Sequence, residues 1–238
     1  MNKAIVIGAT SGIGKEVARA LSQNNYVVGL AGRRIELLSR FQREMPVKTY
    51  TKRIDVTQPT EAMRLLKELV EEMGGMDLIV ISSGVGFINP DLHWEQEKDT
   101  IAVNVSGFTA VANVAFQHFC KQGSGHLVGI SSVAALRGSS DAPAYNASKA
   151  FVSNYLEGLR QKAGKMGMPV TVTDIQPGYV DTAMAKGEGA FWVAPPEKAA
   201  RQIFQAISSR KKHAYVTRRW RMIGWMLKVM PDWMYRKL

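Results

Sequence analysis

Tyr145 and Lys149 lie four residues apart in Tyr145-Asn146-Ala147-Ser148-Lys149. On a helix this spacing shares one face, so a phenol and an ammonium can address the same pocket. An unperturbed tyrosine titrates near pH ~10 and exchanges protons poorly at neutrality. A neighbouring lysine cation favours the phenolate, so the pair is expected to bring the phenol down into the range of general acid–base work. Tyrosine and lysine also meet at this spacing on ordinary solvated helices, so the pair gains weight only from its company.

That company begins at residue 3. Lys3-Ala4-Ile5-Val6-Ile7 reads as a short buried strand and Gly8-Ala9-Thr10-Ser11-Gly12-Ile13-Gly14 as a glycine-rich turn, after which Lys15 to Leu21 repeats its apolar residues at helical spacing. Strand, turn and helix start together aim free backbone N–H groups and the helix dipole at an anion. Gly8 suits the tight turn, Gly12 lets the backbone approach a pyrophosphate, and Gly14 allows close packing of helix on strand. Thr10, Ser11 and Ile13 complete the cradle. The spacing is GxxxGxG, not the GxGxxG of the common dinucleotide fingerprint. Alone, such a turn can be a plain connection; with Tyr145 and Lys149 downstream it predicts cofactor binding.

Together these motifs resemble the short-chain dehydrogenase/reductase family, over Met1 to about Tyr215. Ser132, thirteen residues before Tyr145 in Gly129-Ile130-Ser131-Ser132, stands where the family places its catalytic serine. Asn104, in Ile101-Ala102-Val103-Asn104-Val105, matches the helix asparagine that holds a water beside the lysine. Pro177-Gly178-Tyr179-Val180-Asp181-Thr182 matches the segment that contacts the nicotinamide half of the cofactor, and Asp55-Val56-Thr57 the loop beside the adenine. One departure is clear. Where the family usually shows Asn-Asn-Ala-Gly after the fourth strand, this chain has Ser82-Ser83-Gly84, so Gly84 keeps the backbone role without the asparagine hydrogen bonds.

The resemblance implies a reaction. A substrate carbonyl would accept hydrogen bonds from Ser132 and Tyr145 while a hydride arrives from the cofactor, and those donors would meet the charge developing on oxygen. Tyr145 would deliver the proton, Lys149 would hold the ribose, and Asn104 with a water would relay a replacement proton. The substrate pocket is expected to draw on Val133, Tyr179, Met184, Phe191 and Trp192, with an apolar lid at about 183–195; Phe191 and Trp192 as plain core residues is the alternative.

Cofactor choice is read at the end of the second strand, about 20 residues past the glycine turn, where an acidic residue would accept from the ribose 2′-OH of NAD. Here Gly32 is followed by Arg33 and Arg34. Arginine instead holds a 2′-phosphate with charge-assisted hydrogen bonds. Arg33 is the first choice, with Thr10 and Ser11 adding hydroxyls; two solvated arginines at a helix start is the bland alternative. NADP(H) is the expected cofactor, which points towards carbonyl reduction.

The elements needed to hold these residues are present. Apolar runs at 4–8, 26–31, 77–82, 126–131 and 170–175, with a weaker one near 48–54, alternate with helical patterns at about 12–23, 34–44, 59–73, 98–121 and 144–164. This predicts an α/β fold: a single-domain, Rossmann-type, doubly wound parallel sheet in three α/β/α layers. Asp77 and Asp174 are expected to flank strands at the surface, and Ser131, Asn146 and Ser148 to support the structure without reacting. The four histidines and Cys120 show no metal-ligand spacing, and Cys120 reads as a core thiol. No apolar run is long enough to span a membrane and no room for a signal peptide precedes the first strand, so a cytoplasmic protein is expected. The resemblance suggests a homodimer or homotetramer.

The last segment is different. Residues 208–238 hold nine Lys or Arg and one acid, Asp232, a net +8 of the chain's +11. Trp220, Trp225 and Trp233 are interleaved with those charges, as are Met222, Met226, Met230 and Met234. Residues 217–238 therefore read as a basic, Trp-rich extension of the 1–216 catalytic domain. Two readings stay open: a helix folded over the cleft or a partner subunit, and peripheral membrane contact with charges towards anionic head groups. Nucleic-acid binding is disfavoured because no binding module accompanies the charge. For function, an NADPH-dependent reductase of a small apolar or amphipathic carbonyl substrate leads. A non-catalytic NADP(H)-binding redox sensor or membrane-associated scaffold is the alternative, opposed by the joint presence of Ser132, Tyr145 and Lys149.

Overall fold

In the computed structural model, which describes residues 1–184 and 191–235, the six runs become parallel strands and a seventh strand joins their sheet. These are β1 (Lys3–Ile7), β2 (Val27–Gly32), β3 (Thr49–Arg53), β4 (Leu78–Ile81), β5 (Gly125–Ile130), β6 (Val170–Pro177) and β7 (His213–Val216). Their order across the sheet is β3-β2-β1-β4-β5-β6-β7. The winding reverses between β1 and β4, and doubly wound sheets open a crevice at the carboxyl ends of such strands.

Both faces of the sheet are apolar, as a parallel sheet covered on both sides requires. Along β1 the alternation of Cβ directions sends Ala4 and Val6 to one core and Ile5 and Ile7 to the other. The first core is closed by α1 (Gly12–Gln23), α2 (Ile35–Gln42) and α7 (Pro196–Ser208). The second is closed by α3 (Pro59–Met73), α5 (Phe108–Gln122) and α6 (Pro143–Lys165). The three-layer Rossmann-type architecture follows directly. Cys120 is half-buried against the second core, and buried His126 pairs its Nε2 with Thr173 Oγ1 at 2.8 Å.

The helical pattern expected at 98–121 begins earlier and is not uniform. α4 (Trp94–Ile101) runs through a π-helical turn (Ala102–Gly107) into α5. Such turns wind one extra residue into a helix and re-aim its side chains. Asn104 sits in this one, 1% exposed. β7 and α7 lay outside the predicted elements; β7 has four residues and one fully buried side chain, too little to stand out as an apolar run.

One expectation fails here. Asp77 is exposed and accepts from Lys3 N at 2.8 Å, but Asp174 lies inside β6 and is 3% exposed. After β7 the chain forms α8 (Trp220–Val229) and α9 (Asp232–Tyr235), folded back over the loop that follows β5. Arg137 Nη1 donates to Met230 O at 2.9 Å, Arg137 Nη2 donates to Asp232 Oδ1 at 2.6 Å, and the guanidinium stacks 4.4 Å from the Tyr235 ring centroid. The Tyr235 hydroxyl donates to Gly138 O. Residues 185–190 of the expected substrate lid and residues 236–238 of the tail lie outside the described residues.

Candidate active site

The glycine turn leaves β1 with Gly8 N and Ala9 N both donating to Ala31 O, at 2.8 and 3.1 Å. Gly8 has φ +88°, and a Cβ there would lie 2.7 Å from Ser83 N; one on Gly14 would lie 2.2 Å from Gly8 O. Only glycine fits either place. Ser11 is the N-cap of α1, but its side chain does not cap the helix, so the first N–H groups of α1 are not taken up by it. Ser83 Oγ, on the neighbouring loop, is buried with no hydrogen-bond partner among the described residues. A backbone cradle that admits no side chain, with an orphaned hydroxyl at its floor, suits a phosphate-bearing ligand.

The arginines sit differently from their expected order. Arg34 Nη2 donates to Thr10 Oγ1 at 2.7 Å and to Ser11 Oγ at 3.1 Å, which places Arg34 and not Arg33 against the two hydroxyls. Arg33 is exposed beside it. The start of α2 explains the exchange, because Arg34 is its N-cap residue and is directed back over the turn. Gly32 is pressed on Thr10, with a Cβ there 3.1 Å from Thr10 Cγ2. At the next strand end, Asp55 Oδ1 accepts from Thr57 N at 3.0 Å and Thr57 Oγ1 at 2.8 Å, and Val56 is buried beneath.

Ser132, Tyr145, Lys149 and Asn104 come together across three elements. Ser132 lies two residues past β5 and caps the turn that follows, its Oγ accepting from Ala134 N at 3.1 Å. Tyr145 is in the first turn of α6, and Lys149 Nζ lies 5.7 Å from its ring centroid, donating to Ile130 O at 3.1 Å. Asn104 Nδ2 donates to Val85 O at 2.8 Å and Ser148 Oγ at 2.9 Å, while its Oδ1 accepts from Val85 N at 2.9 Å. Its side chain is therefore a strut between the β4 loop and α6, with both Nδ2 hydrogens engaged and one Oδ1 acceptor position left. Gly84 lies where these groups meet: a Cβ on it would be 3.3 Å from Lys149 Nζ and 3.4 Å from Asn104 Oδ1.

The expected effect of Lys149 on Tyr145 does not hold. Burial pushes the Tyr145 phenol above its ordinary value near 10; a hydrogen bond to Ser132 pulls it partly back, and Tyr179 adds to the rise. Lys149 is itself desolvated, its pKa lowered to about 8 by burial against a smaller upward pull from Asp174. For both groups desolvation outweighs the contact that opposes it, Ser132 for the phenol and Asp174 for the ammonium.

The nicotinamide-side segment crosses back to the glycine turn. Gly178 N donates to Val216 O at 2.5 Å, Val180 bridges to Ala194, and Thr182 packs on Gly12, whose Cβ would lie 3.0 Å from Thr182 Cγ2. Pro177 closes β6 beside Ser132 Oγ, which donates to its carbonyl at 3.5 Å. Tyr179, Phe191 and Trp192 are exposed and ring the buried Trp220 of α8 at centroid distances of 5.5, 5.1 and 6.3 Å. Phe191 and Trp192 are thus not core residues. Met184, also expected at the pocket, is exposed, and Val133 is half-buried.

Three contributors were not foreseen, and Asn146 supports the structure over a longer reach than expected. Gly86 has the Tyr145 ring against it, a Cβ there falling 2.8 Å from Tyr145 Cδ2. Asp174 accepts from Ser131 Oγ, from Ser153 Oγ and from Gln176 Nε2 (the last at 3.2 Å), tying the end of β5, the face of α6 past Lys149 and the end of β6 together. Asn146 Nδ2 donates to Arg137 O at 2.7 Å, which links the Tyr145 helix to the loop gripped by the tail. Trp220 fills the space over Gly178, where a Cβ would come within 2.1 Å of its indole. The signal for Asp174 was an acid inside an apolar run; Gly86 gave none beyond its nearness to Gly84. No group of three metal-ligating side chains occurs among the described residues.

Comparison with known proteins completes the picture. A family model described as short chain dehydrogenase matches residues 2–191. An uncharacterized oxidoreductase of Myxococcus xanthus is 36% identical over 186 residues, covering 76% of this chain and 73% of that one. A second, from Staphylococcus epidermidis, is 31% identical over 186 residues, covering 77% and 80%. Among solved structures, an actinorhodin polyketide ketoreductase variant with NADPH aligns with TM-score 0.82 at 25% identity, covering 96% of this chain and 98% of that one. A short-chain type dehydrogenase/reductase from Mycobacterium marinum shares the fold with TM-score 0.83 at 23% identity, covering 91% and 94%.

Proposed function

The chain belongs to the short-chain dehydrogenase family of oxidoreductases, and we propose that within it the protein reduces a carbonyl compound with NADPH, Tyr145 being the acid. The observation that carries this reading is the convergence of Tyr145, Ser132 and Lys149 at the crevice end of the sheet, with Gly84 keeping the space beside Lys149 open.

The residues fit a nicotinamide dinucleotide. The N–H groups from Gly8 to Gly14, including Ile13, would hold its pyrophosphate; Asp55 and Val56 would line the adenine side; Gly84 would let it approach beside Lys149, which would hold a ribose; Pro177, Gly178, Val180 and Thr182 would border the nicotinamide. Arg33 and Arg34 would hold a 2′-phosphate, Arg34 together with Thr10 and Ser11. The ketoreductase neighbour's NADPH supports that choice. When bound, the cofactor supplies the hydride.

The protein's own part is positional and electrostatic. Ser132 and Tyr145 donate hydrogen bonds to the substrate oxygen, where negative charge accumulates in the transition state. A tyrosine held above its ordinary pKa stays protonated at neutrality, so its hydroxyl is a donor throughout and its proton is available for the alkoxide-like oxygen. The Lys149 ammonium then stabilises the phenolate left behind. Asn104 keeps Val85 and Ser148 in register, which fixes the wall behind Lys149. Val133, Tyr179, Met184, Phe191 and Trp192 make the mouth apolar and aromatic, suiting an apolar or amphipathic carbonyl substrate. In this reading residues 1–216 carry the chemistry, and the extension from 217 completes the substrate side.

The test is to titrate NADPH and NADH into wild type, Arg33→Ala and Arg34→Ala, then follow NADPH oxidation with a panel of carbonyl compounds. Loss of one charge-assisted contact should weaken NADPH by about tenfold or more and leave NADH unchanged. Equal affinities for both cofactors, unmoved by either substitution, would remove the 2′-phosphate assignment. Tight NADPH binding without turnover on any carbonyl would leave a redox sensor.

A further inference from the structure

We propose that the outer face of α8 docks on an anionic lipid bilayer. The helix packs inward through Trp220 and Gly224. Facing away from the protein are Met222, Trp225, Met226 and Val229, exposed by 76, 68, 41 and 58%. These stand at i, i+3, i+4 and i+7, the spacing of a continuous helical stripe, on the side where a surface helix ordinarily carries polar residues. Arg221, Met222, Ile223, Trp225 and Met226 line an open depression along it.

The charges around the stripe select the occupant. Arg221 and Lys228, seven residues apart, run along one edge, and exposed Arg218 and Arg219 lie at the helix start. The turn before β7 adds exposed Arg210, Lys211 and Lys212. The one acid in 208–238 is Asp232, and it is paired with Arg137. A two-fold contact with a second copy would set this basic edge against itself with no acid to answer it. An anionic bilayer answers it everywhere, taking the apolar stripe below the head groups while the long basic side chains reach back to them. No helix among the described residues is long and apolar enough to cross a membrane, so the helix would lie flat.

The experiment is flotation of the full chain with phosphatidylcholine vesicles, with and without phosphatidylglycerol. Wild type should float only with the phosphatidylglycerol vesicles and be released by high salt. Met222→Glu with Trp225→Glu should abolish flotation; both side chains are exposed, and an unchanged melting temperature checks the fold. Arg221→Gln and Lys228→Gln should each weaken binding by about fivefold. Flotation that survives the double glutamate variant overturns the proposal, as does absence of flotation by wild type. Concentration-dependent dimerisation abolished by that variant, without flotation, would make the stripe an interface between copies. No cofactor or substrate enters the assay, so its failure leaves the reductase reading standing.

Discussion

The crevice has a nucleotide side and a substrate side, and they are built by different means. Around Gly8 and Gly14 the backbones lie so close that an added Cβ would fall 2.7 and 2.2 Å from main-chain atoms. Around Trp220, by contrast, exposed rings from the β6–α7 connection gather on one buried ring contributed by a helix that begins after residue 219. The first side works by excluding atoms, which demands particular residue types at fixed spacing within one short segment. The second works by collecting side chains from distant segments, and many combinations of residues can make an apolar mouth. Rigidity belongs to the one and variability to the other.

Four substitutions would break or sharpen that contrast. The largest effect is expected from Tyr145→Phe, which keeps the ring against Gly86 and removes only the donor. Turnover should fall by about 10²–10⁴-fold with NADPH affinity unchanged, read by steady-state kinetics alongside a binding titration. Gly86→Val comes next. Its branched side chain must push the Tyr145 ring aside, so turnover should drop by about 10²-fold while NADPH still binds. A loss of NADPH binding there would show that the two sides are not separable.

Lys149→Met probes the cost of the site. The folded-state pKa of Lys149, about 8, lies below its ordinary 10.5, so the unfolded chain holds that proton more tightly. The resulting destabilisation is complete below about pH 8 and fades as pH rises towards 10.5. The inactive methionine variant should therefore melt above wild type at pH 7, by about 1–3 kcal/mol of stability, with the gap closing by pH ~10. Equal melting curves at pH 7 would mean that the hydrogen bond to Ile130 O offsets the burial. The smallest effect is expected from Arg137→Ala. It frees Met230 O and Asp232 from the loop, and should raise the KM for the carbonyl substrate about fivefold while leaving the KM for NADPH alone.

The same contrast explains what could be read from the chain before its structure. Six strands, the glycine turn and the meeting of Ser132, Tyr145, Lys149 and Asn104 were legible because each depends on local pattern or on a motif with fixed spacing. The direction of the Tyr145 shift was not, since adjacency of a lysine is visible in sequence and desolvation is not. Arg33 was the choice on paper, because sequence does not show where either side chain reaches; the start of α2 sends Arg34 to Thr10. Asp174 looked like a surface acid because Ser131, Ser153 and Gln176, which satisfy it, are brought together only by the fold. Of the tail's two readings, packing against the protein is the one seen in α8, and bilayer contact is the one proposed for its exposed face. Trp220 and Gly224 are committed inward, and the face carrying Trp225 is the one left to interact.

Arg137 and Asp232 are separated by 95 positions yet joined, and Asn146 connects that joint to the helix of Tyr145. For the construction of chimeras this sets the crossover points. A tail exchanged between relatives without the 133–139 loop would arrive with no guanidinium to grip it, and a loop exchanged alone would leave the tail unmoored. Residues 133–139 and 218–235 thus form one transplantable cassette in two pieces, and libraries meant to alter substrate choice should recombine them together.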